Sequence, residues 1–584
     1  MRNRSDILPS WERFLSLLFF ISLMRCLHFV HCEPLAPDSY KQKGKGKAAN
    51  HHANTEKVAT DKAAFAGDPK DSCLPVFMEK GYMVGQIDDQ SYVLYAENVS
   101  NEKVDGKYYL IDYQKNTFTP QSFQLLREQN GKFRLVTPNI NSYVTFALSE
   151  DSVSFSGTFT FEEVPNDKHR VTFKRYTAPK YAERSSTRYQ EPQFSFKQIS
   201  DLTYGKAKGF YTSYPTEDEN HFGRLFLNVL PKTAKREEQE LLLDLYLPED
   251  DSIARHPLMV LLHGGAFFFG DKGALKMRQW CEHFAQLGYV VACVNYRLGF
   301  KISKKSIQQC GYQTIQDAHA ALRFLVANAD KYHIDPDYIF LAGTSSGSIT
   351  ALGTAFMNDE NCPPFVAQNE FVKKCGPLHS SGNDLRNEVK IKAIANMWGA
   401  IYDLHELDGT NIPMISFHGT EDKIVPFNQG FPFSGLKSNI GKKMFDKMYG
   451  SQAIHQYLDS LHVRNELYPL EGCGHAPYQE KDGSLNEHYL FIQDKMQQFF
   501  YSVLIPQCIL KHDGQDPQLY RIENEGFIEI NWQAEGGIIL NAHDNWVRVI
   551  WFDDAPKHLL RATATTPIGV PLQREWNLSL IHNS

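Results

Sequence analysis

Between residues 194 and 504 the apolar positions switch between two periods. Residues 241–247 (Leu-Leu-Leu-Asp-Leu-Tyr-Leu) read as a strand. Residues 257–262 and 289–294 are continuous apolar runs, as expected of strands covered on both faces. In 314–328, Ile315, Ala318, Ala321, Leu322, Leu325 and Val326 recur at helical spacing. Strand-like runs follow at 338–342, 391–397, 413–417 and 466–470, and 487–504 closes as an amphipathic helix. This alternation predicts an α/β fold, a doubly wound sheet with helices on both faces.

The flanks carry a different pattern. Residues 73–193 hold short alternating runs such as Tyr92-Val93-Leu94-Tyr95 and Phe133-Arg134-Leu135-Val136, separated by turn residues. They predict a small antiparallel domain, sandwich-like or a barrel. Residues 508–584 return to alternation, as in Phe527-Ile528-Glu529-Ile530 and Trp546-Val547-Arg548-Val549, and predict a third, small β domain. Residues 33–72 crowd Lys41, Lys43, Lys45 and Lys47 and read as a flexible linker. Ahead of them, Arg2, Arg4 and Arg13 precede an apolar stretch at 14–24, the layout of a secretory signal over residues 1–32. A signal anchor extending through Val30 is the alternative.

Composition narrows this picture. With 584 residues, 42% hydrophobic and 22% charged, the chain is globular and long enough for two to four domains. A net charge of -7 argues against nucleic acid as a partner. No zinc-type Cys/His spacing, phosphate-cradling loop or dinucleotide fingerprint occurs. Of the ten cysteines, eight follow residue 32, and Cys310, Cys362 and Cys375 lie in polar surroundings that make them the better disulfide candidates.

Candidate chemistry sits at the predicted strand ends. Gly343-Thr344-Ser345-Ser346-Gly347 follows a strand and opens a helix, a strained turn that lifts a serine oxygen off the sheet. His263-Gly264-Gly265-Ala266 follows an earlier buried strand, and the amides of Gly265 and Ala266, with that of Ser346, form a candidate anion site. Asp422, in His418-Gly419-Thr420-Glu421-Asp422, is the candidate acid, with Glu421 as fallback. His475, in Gly474-His475-Ala476, is the candidate base. Each alone has an ordinary structural explanation. Their order, Ser then Asp then His after successive strands, is that of a nucleophilic relay.

On these residues, together with 243–248 (Leu-Asp-Leu-Tyr-Leu-Pro), Asn295-Tyr296-Arg297 and Gln316-Asp317-Ala318, segment 194–507 resembles an α/β-hydrolase of the carboxylesterase/lipase type. The resemblance implies Ser345 as nucleophile, His475 as base, Asp422 as orienting acid, and Gly265, Ala266 and Ser346 as oxyanion donors. Ala266 stands where many relatives carry a third glycine, and Ser346-Gly347-Ser348 replaces the usual Ala-Gly-Gly or Ala-Gly-Ala. The C-terminal β segment is similar in position and strand pattern to the secretion tails of type IX-exported Bacteroidota proteins.

The expected activity is hydrolysis of carboxylic esters through an acyl-enzyme, with no metal or cofactor required. Expected substrates are small-molecule or carbohydrate-linked esters, met outside the cell or at its surface; oligomeric state stays open. Pocket walls are expected from Phe267, Phe268 and Phe269 and from segments 357–390 and 428–450. A prolyl-oligopeptidase-type peptidase is the first alternative, although such enzymes carry a propeller that about 100 residues of β sequence cannot build. A non-catalytic binding protein on the same fold is the second.

Overall fold

The computed structural model describes residues 80–578, apart from 101, 113–116, 129–132, 138–140, 149–153, 162–163, 180–185, 215–229, 359–374, 436–439, 481–482 and 524–525. The signal segment, the linker and Cys362 lie outside the described residues. The chain forms two compact units. One comprises 186–506 with 567–570; the other holds the described residues up to 185 together with 507–566 and those from 571 onward.

The first unit is built on eight strands. They are β1 (Ser195–Gly209), β2 (Glu237–Glu249), β3 (His256–Leu262), β4 (Val290–Val294), β5 (Ile334–Thr344), β6 (Ile391–Met397), β7 (Met414–Gly419) and β8 (Asn465–Leu470). Their order across the sheet is β1-β2-β4-β3-β5-β6-β7-β8. β1, β2 and β4 pair antiparallel, and every pairing from β4 onward is parallel. All seven residues of β3 are buried, whereas edge strand β1 exposes Lys197, Lys206 and Lys208. The difference is physical: a central strand needs apolar side chains on both faces, and charges on an edge strand deter pairing with another chain.

Helices α1 (Leu275–Leu287), α2 (Lys304–Ala327), α3 (Ser346–Phe356), α4 (Ser451–Ser460) and α5 (Glu487–Leu504) cover the faces. Two apolar clusters result, one centred on Leu262, Leu341 and Leu352, the other on Trp280, Phe340 and Phe500. α2 starts at Lys304, well before the apolar spacing at 314, because Ser303 caps it by accepting from the Ser306 amide at 3.3 Å. Cys310 therefore lies inside a helix, buried, and both it and Cys375 are free thiols, contrary to their reading as disulfide partners. Arg297 meets Asp317 of α2 through Nε at 2.9 Å and Nη2 at 2.6 Å, fixing the chain after β4 to that helix.

A short turn, Leu404–Leu407, carries a buried carboxyl whose titration is measurable. Glu406 accepts from the Asp403 amide at 3.2 Å, and burial raises its pKa to about 8. A carboxyl raised in the folded state favours folding less as pH climbs from the unfolded value toward the folded one. Glu406→Gln keeps the acceptor and removes the ionisation. It is expected to raise Tm relative to wild type at pH 8 and to leave it nearly unchanged near pH 4.5, measured by scanning calorimetry.

In the second unit, strands from Gly81–Ile87 to Val164–Arg175 form a closed antiparallel barrel of eight strands. Of the two forms expected, sandwich-like or barrel, it is the barrel. The first and last strands pair, Met83 opposite Arg175 and Ile87 opposite Val171, so no edges remain. Tight curvature brings backbones together at Gly85, where a Cβ would lie 2.0 Å from the Thr172 carbonyl. Four C-terminal strands and Thr117–Phe118, which pairs with Trp551 and Phe552, form a five-stranded sheet, and the other three C-terminal strands form a three-stranded one. The segments expected as separate β domains thus share one unit.

Candidate active site

β5 ends at Thr344 and α3 begins at Ser346, leaving Ser345 alone in the turn with φ 52° and ψ −120°. A non-glycine residue rarely holds such a backbone, and it persists only where surroundings fix it. They do so here: the Ser345 amide donates to the Met397 carbonyl of β6 at 2.9 Å. A Cβ on Gly343 would lie 2.4 Å from the Gly347 carbonyl, and one on Gly347 would lie 2.2 Å from the Leu262 carbonyl and 2.4 Å from that of His263. Both glycines are required by close backbone approach.

Three strand ends deliver the relay. Ser345 Oγ lies 2.8 Å from His475 Nε2, and His475 Nδ1 lies 2.7 Å from Asp422 Oδ2. His475 follows β8 and Asp422 follows β7. The two loops touch at Gly419, where a Cβ would meet the Gly474 carbonyl at 2.3 Å. Asp422, not the fallback Glu421, faces the imidazole; Glu421 is exposed and its amide donates to the Cys473 carbonyl. Burial alone would raise the Asp422 pKa, but His475 and His418 beside it hold it well below the usual carboxylate range. That favours the ionised carboxylate beside the imidazole.

The loop after β3 lies against the turn. A Cβ on Gly264 would sit 3.3 Å from Ser345 Cβ. Gly265, Ala266 and Phe267 have φ of 128°, 54° and 60°, and the Gly265 carbonyl accepts from Phe268 and Phe269 at 2.9 and 2.8 Å. The His263 ring stacks on Tyr296 with centroids 4.5 Å apart, and the Tyr296 hydroxyl donates to the His263 carbonyl. Among the described residues, no protein acceptor takes the amides of Gly265, Ala266 or Ser346. Of the three phenylalanines expected as pocket wall, Phe268 and Phe269 are buried in the apolar core, and only Phe267 is half-exposed. Among the described residues, no group of His, Cys, Asp or Glu could hold a metal ion.

Sequence reading missed the polar layer beneath the relay. His418, Asn396, Ser416 and Ser451 are all fully buried and hydrogen-bonded to one another. One signal was available: Asn396 is a polar residue inside the otherwise apolar strand Ile391–Met397.

Sheet order, strained serine turn and relay together are those of an α/β-hydrolase of the carboxylesterase type. Sequence comparison with known proteins agrees. The BD-FAE family matches residues 243–412. A probable carboxylic ester hydrolase, LipM of Mycobacterium tuberculosis, is 23% identical over 261 residues, covering 39% of this chain and 59% of that protein. The probable isoprenylcysteine alpha-carbonyl methylesterase ICMEL1 of Arabidopsis thaliana is 33% identical over 228 residues, covering 34% and 45%. The chain thus spans about half the length of these relatives. Among solved structures, Thermogutta terrifontis esterase 2 phosphorylated by paraoxon aligns with a TM-score of 0.32 and 21% identity, over 45% of this chain and 89% of that one.

Proposed function

We propose that the protein is an exported serine esterase that hydrolyses carboxylic esters through an acyl-enzyme on Ser345. The observation that carries this reading is the continuous Ser345–His475–Asp422 relay, with contacts of 2.8 and 2.7 Å. His475 Nε2 takes the hydroxyl proton as Ser345 Oγ bonds to the acyl carbon. Charge passes to the former carbonyl oxygen, where the Gly265, Ala266 and Ser346 amides donate. The tetrahedral intermediate collapses, the C–O bond to the alcohol breaks, and His475 returns its proton to the departing oxygen. Water then repeats the sequence on the acyl-enzyme, its proton passing to His475 and on to Ser345 Oγ as the acid leaves. Asp422 stays ionised and holds the His475 proton on Nδ1.

The esterase and methylesterase names of the relatives support ester chemistry over peptide chemistry. So do the N-terminal strands, which close into one barrel instead of propeller blades. Export rests on the charge and apolar pattern of residues 1–32. Small-molecule or carbohydrate-linked esters are the proposed substrates. The test is a panel of p-nitrophenyl esters of increasing acyl length beside a Gly-Pro amide, on purified full-length protein. Turnover of at least one ester with kcat/KM of about 10⁴ M⁻¹s⁻¹ or more is expected. Cleavage of the amide alone would transfer the assignment to the peptidase reading, and no turnover with no fluorophosphonate labelling would transfer it to the binding protein.

A further inference from the structure

We propose that His418 is a positioning residue for the reaction: it turns Nε2 toward the same carboxylate oxygen of Asp422 that His475 uses, and so limits how strongly that carboxylate supports His475. The inference rests on the esterase reading for its kinetic meaning and on the structure alone for its geometry.

Both oxygens of the Asp422 carboxylate have close nitrogen partners. Oδ1 accepts from the Ile424 amide at 2.7 Å and the Val425 amide at 3.0 Å. Oδ2 meets His475 Nδ1 at 2.7 Å and His418 Nε2 at 3.3 Å. Three of these contacts are hydrogen bonds; His418 Nε2, whose hydrogen bond runs to the Val425 carbonyl, stands at ion-pair distance from the oxygen that His475 uses.

The position of the His418 proton follows from its partners. Nε2 faces two groups that only accept, the Asp422 carboxylate and the Val425 carbonyl at 3.2 Å, so it carries the hydrogen. Nδ1 lies 2.8 Å from Ser451 Oγ and accepts from it. Ser451 is free to donate because its own oxygen accepts from Asn396 Nδ2 at 3.0 Å. Asn396 is held in turn: its Oδ1 accepts from Ser348 Oγ at 2.6 Å and from the Gly399 amide at 2.9 Å. Its Nδ2 also donates to Ser416 Oγ at 2.9 Å, and Ser416 Oγ meets His455 Nε2 at 2.7 Å. Every bond in this buried chain has one consistent direction. Among the described residues, its side-chain hydrogen bonds lead toward the relay through His418.

Among the described residues, the titratable groups facing Asp422 are His418 and His475. His418 otherwise meets Ser451 from α4, the Val425 carbonyl and the edge of Phe427. Removing the His418 N–H leaves Oδ2 with one close nitrogen partner. The carboxylate charge then concentrates on the His475 Nδ1–H and stabilises the imidazolium, so His475 holds its proton to higher pH.

The test follows the His475 ring resonance by NMR across pH in full-length protein, with a pH profile of kcat/KM on a p-nitrophenyl ester beside it. His418→Leu is expected to move the His475 midpoint upward by about 0.5 pH unit or more. The acidic limb of kcat/KM should move with it, while KM changes less than about twofold. His418→Gln, which retains an N–H donor, is expected to restore most of the wild-type midpoint. An unmoved midpoint in folded His418→Leu, or a Gln variant displaced as far as Leu, overturns the proposal. Should the Leu variant not fold, Ser451→Ala decides instead: loss of the hydroxyl that fixes the His418 tautomer is expected to move the midpoint the same way, and no movement overturns the role. A wild type without ester turnover would remove the esterase reading while the NMR comparison still returned its answer.

Discussion

Ser345→Ala is expected to lower kcat/KM on the best p-nitrophenyl ester by about 10⁴- to 10⁶-fold and to abolish labelling by a fluorophosphonate. The loss is large because Oγ forms the bond that defines the acyl-enzyme, and His475 then has no hydroxyl to deprotonate. The fold should not change. Alanine keeps the Cβ, and the turn is held by the Ser345 amide on Met397 and by the close approach of Gly347 to β3. What activity remains would come from the amides of 265, 266 and 346, which still favour a developing oxyanion. Ser345→Ala/His475→Ala should lose little beyond Ser345→Ala alone, because the two residues act as one unit. A fall of tenfold or less in folded Ser345→Ala would mean that another nucleophile does the chemistry.

Gly347→Ala is expected to have the next largest effect, about 10²-fold in kcat together with a loss of about 1–3 kcal/mol in stability. The added methyl would sit 2.2 Å from the Leu262 carbonyl and 2.4 Å from that of His263. Neither obstacle is a side chain that can swing away. The Leu262 carbonyl ends β3, and the His263 carbonyl is held by the Tyr296 hydroxyl. Relief must come from displacing the serine turn, the loop that carries 265 and 266, or both, and those parts face each other across the reacting carbonyl. Gly311→Ala is the control: nothing lies within 4 Å of its Cβ position in the middle of α2, so stability should rise by about 0.5–1 kcal/mol with kcat unaltered. Tm and kcat measured on the same preparations separate the two cases. A Gly347→Ala enzyme with wild-type kcat would show that the turn and the loop move independently.

The candidate relay at strand ends was legible because its pieces are local. Ser345 sits in a glycine-bracketed turn, and His475 and Asp422 each follow a recognisable apolar run. What escaped detection depends on distant pairings or on polar residues among many alike. Closure of the barrel joins 83–87 to 171–175, a pairing that no short window contains. The start of α2 lies in Lys-Lys-Ser, which carries no apolar period, and the Ser303 cap is what extends the helix there. His418 is one of 22 histidines, and its link to Asp422 becomes visible only once the chain after β7 has turned back. Asp422 was the sequence candidate ahead of Glu421, and it is the carboxylate that the turn directs inward.

Residues 567–570 have a consequence for the living chain. Ile568 and Val570 are fully buried in the apolar core of the unit that bears the relay, and the Tyr189 hydroxyl donates to the Ile568 carbonyl at 2.7 Å. A ribosome that has already released the nucleophile, the base and every helix covering the sheet has still not delivered part of that interior. Premature termination or trimming from the end would leave all reactive groups present in a protein with an open seam. Such copies would expose apolar surface that finished ones bury, the kind of surface that promotes aggregation.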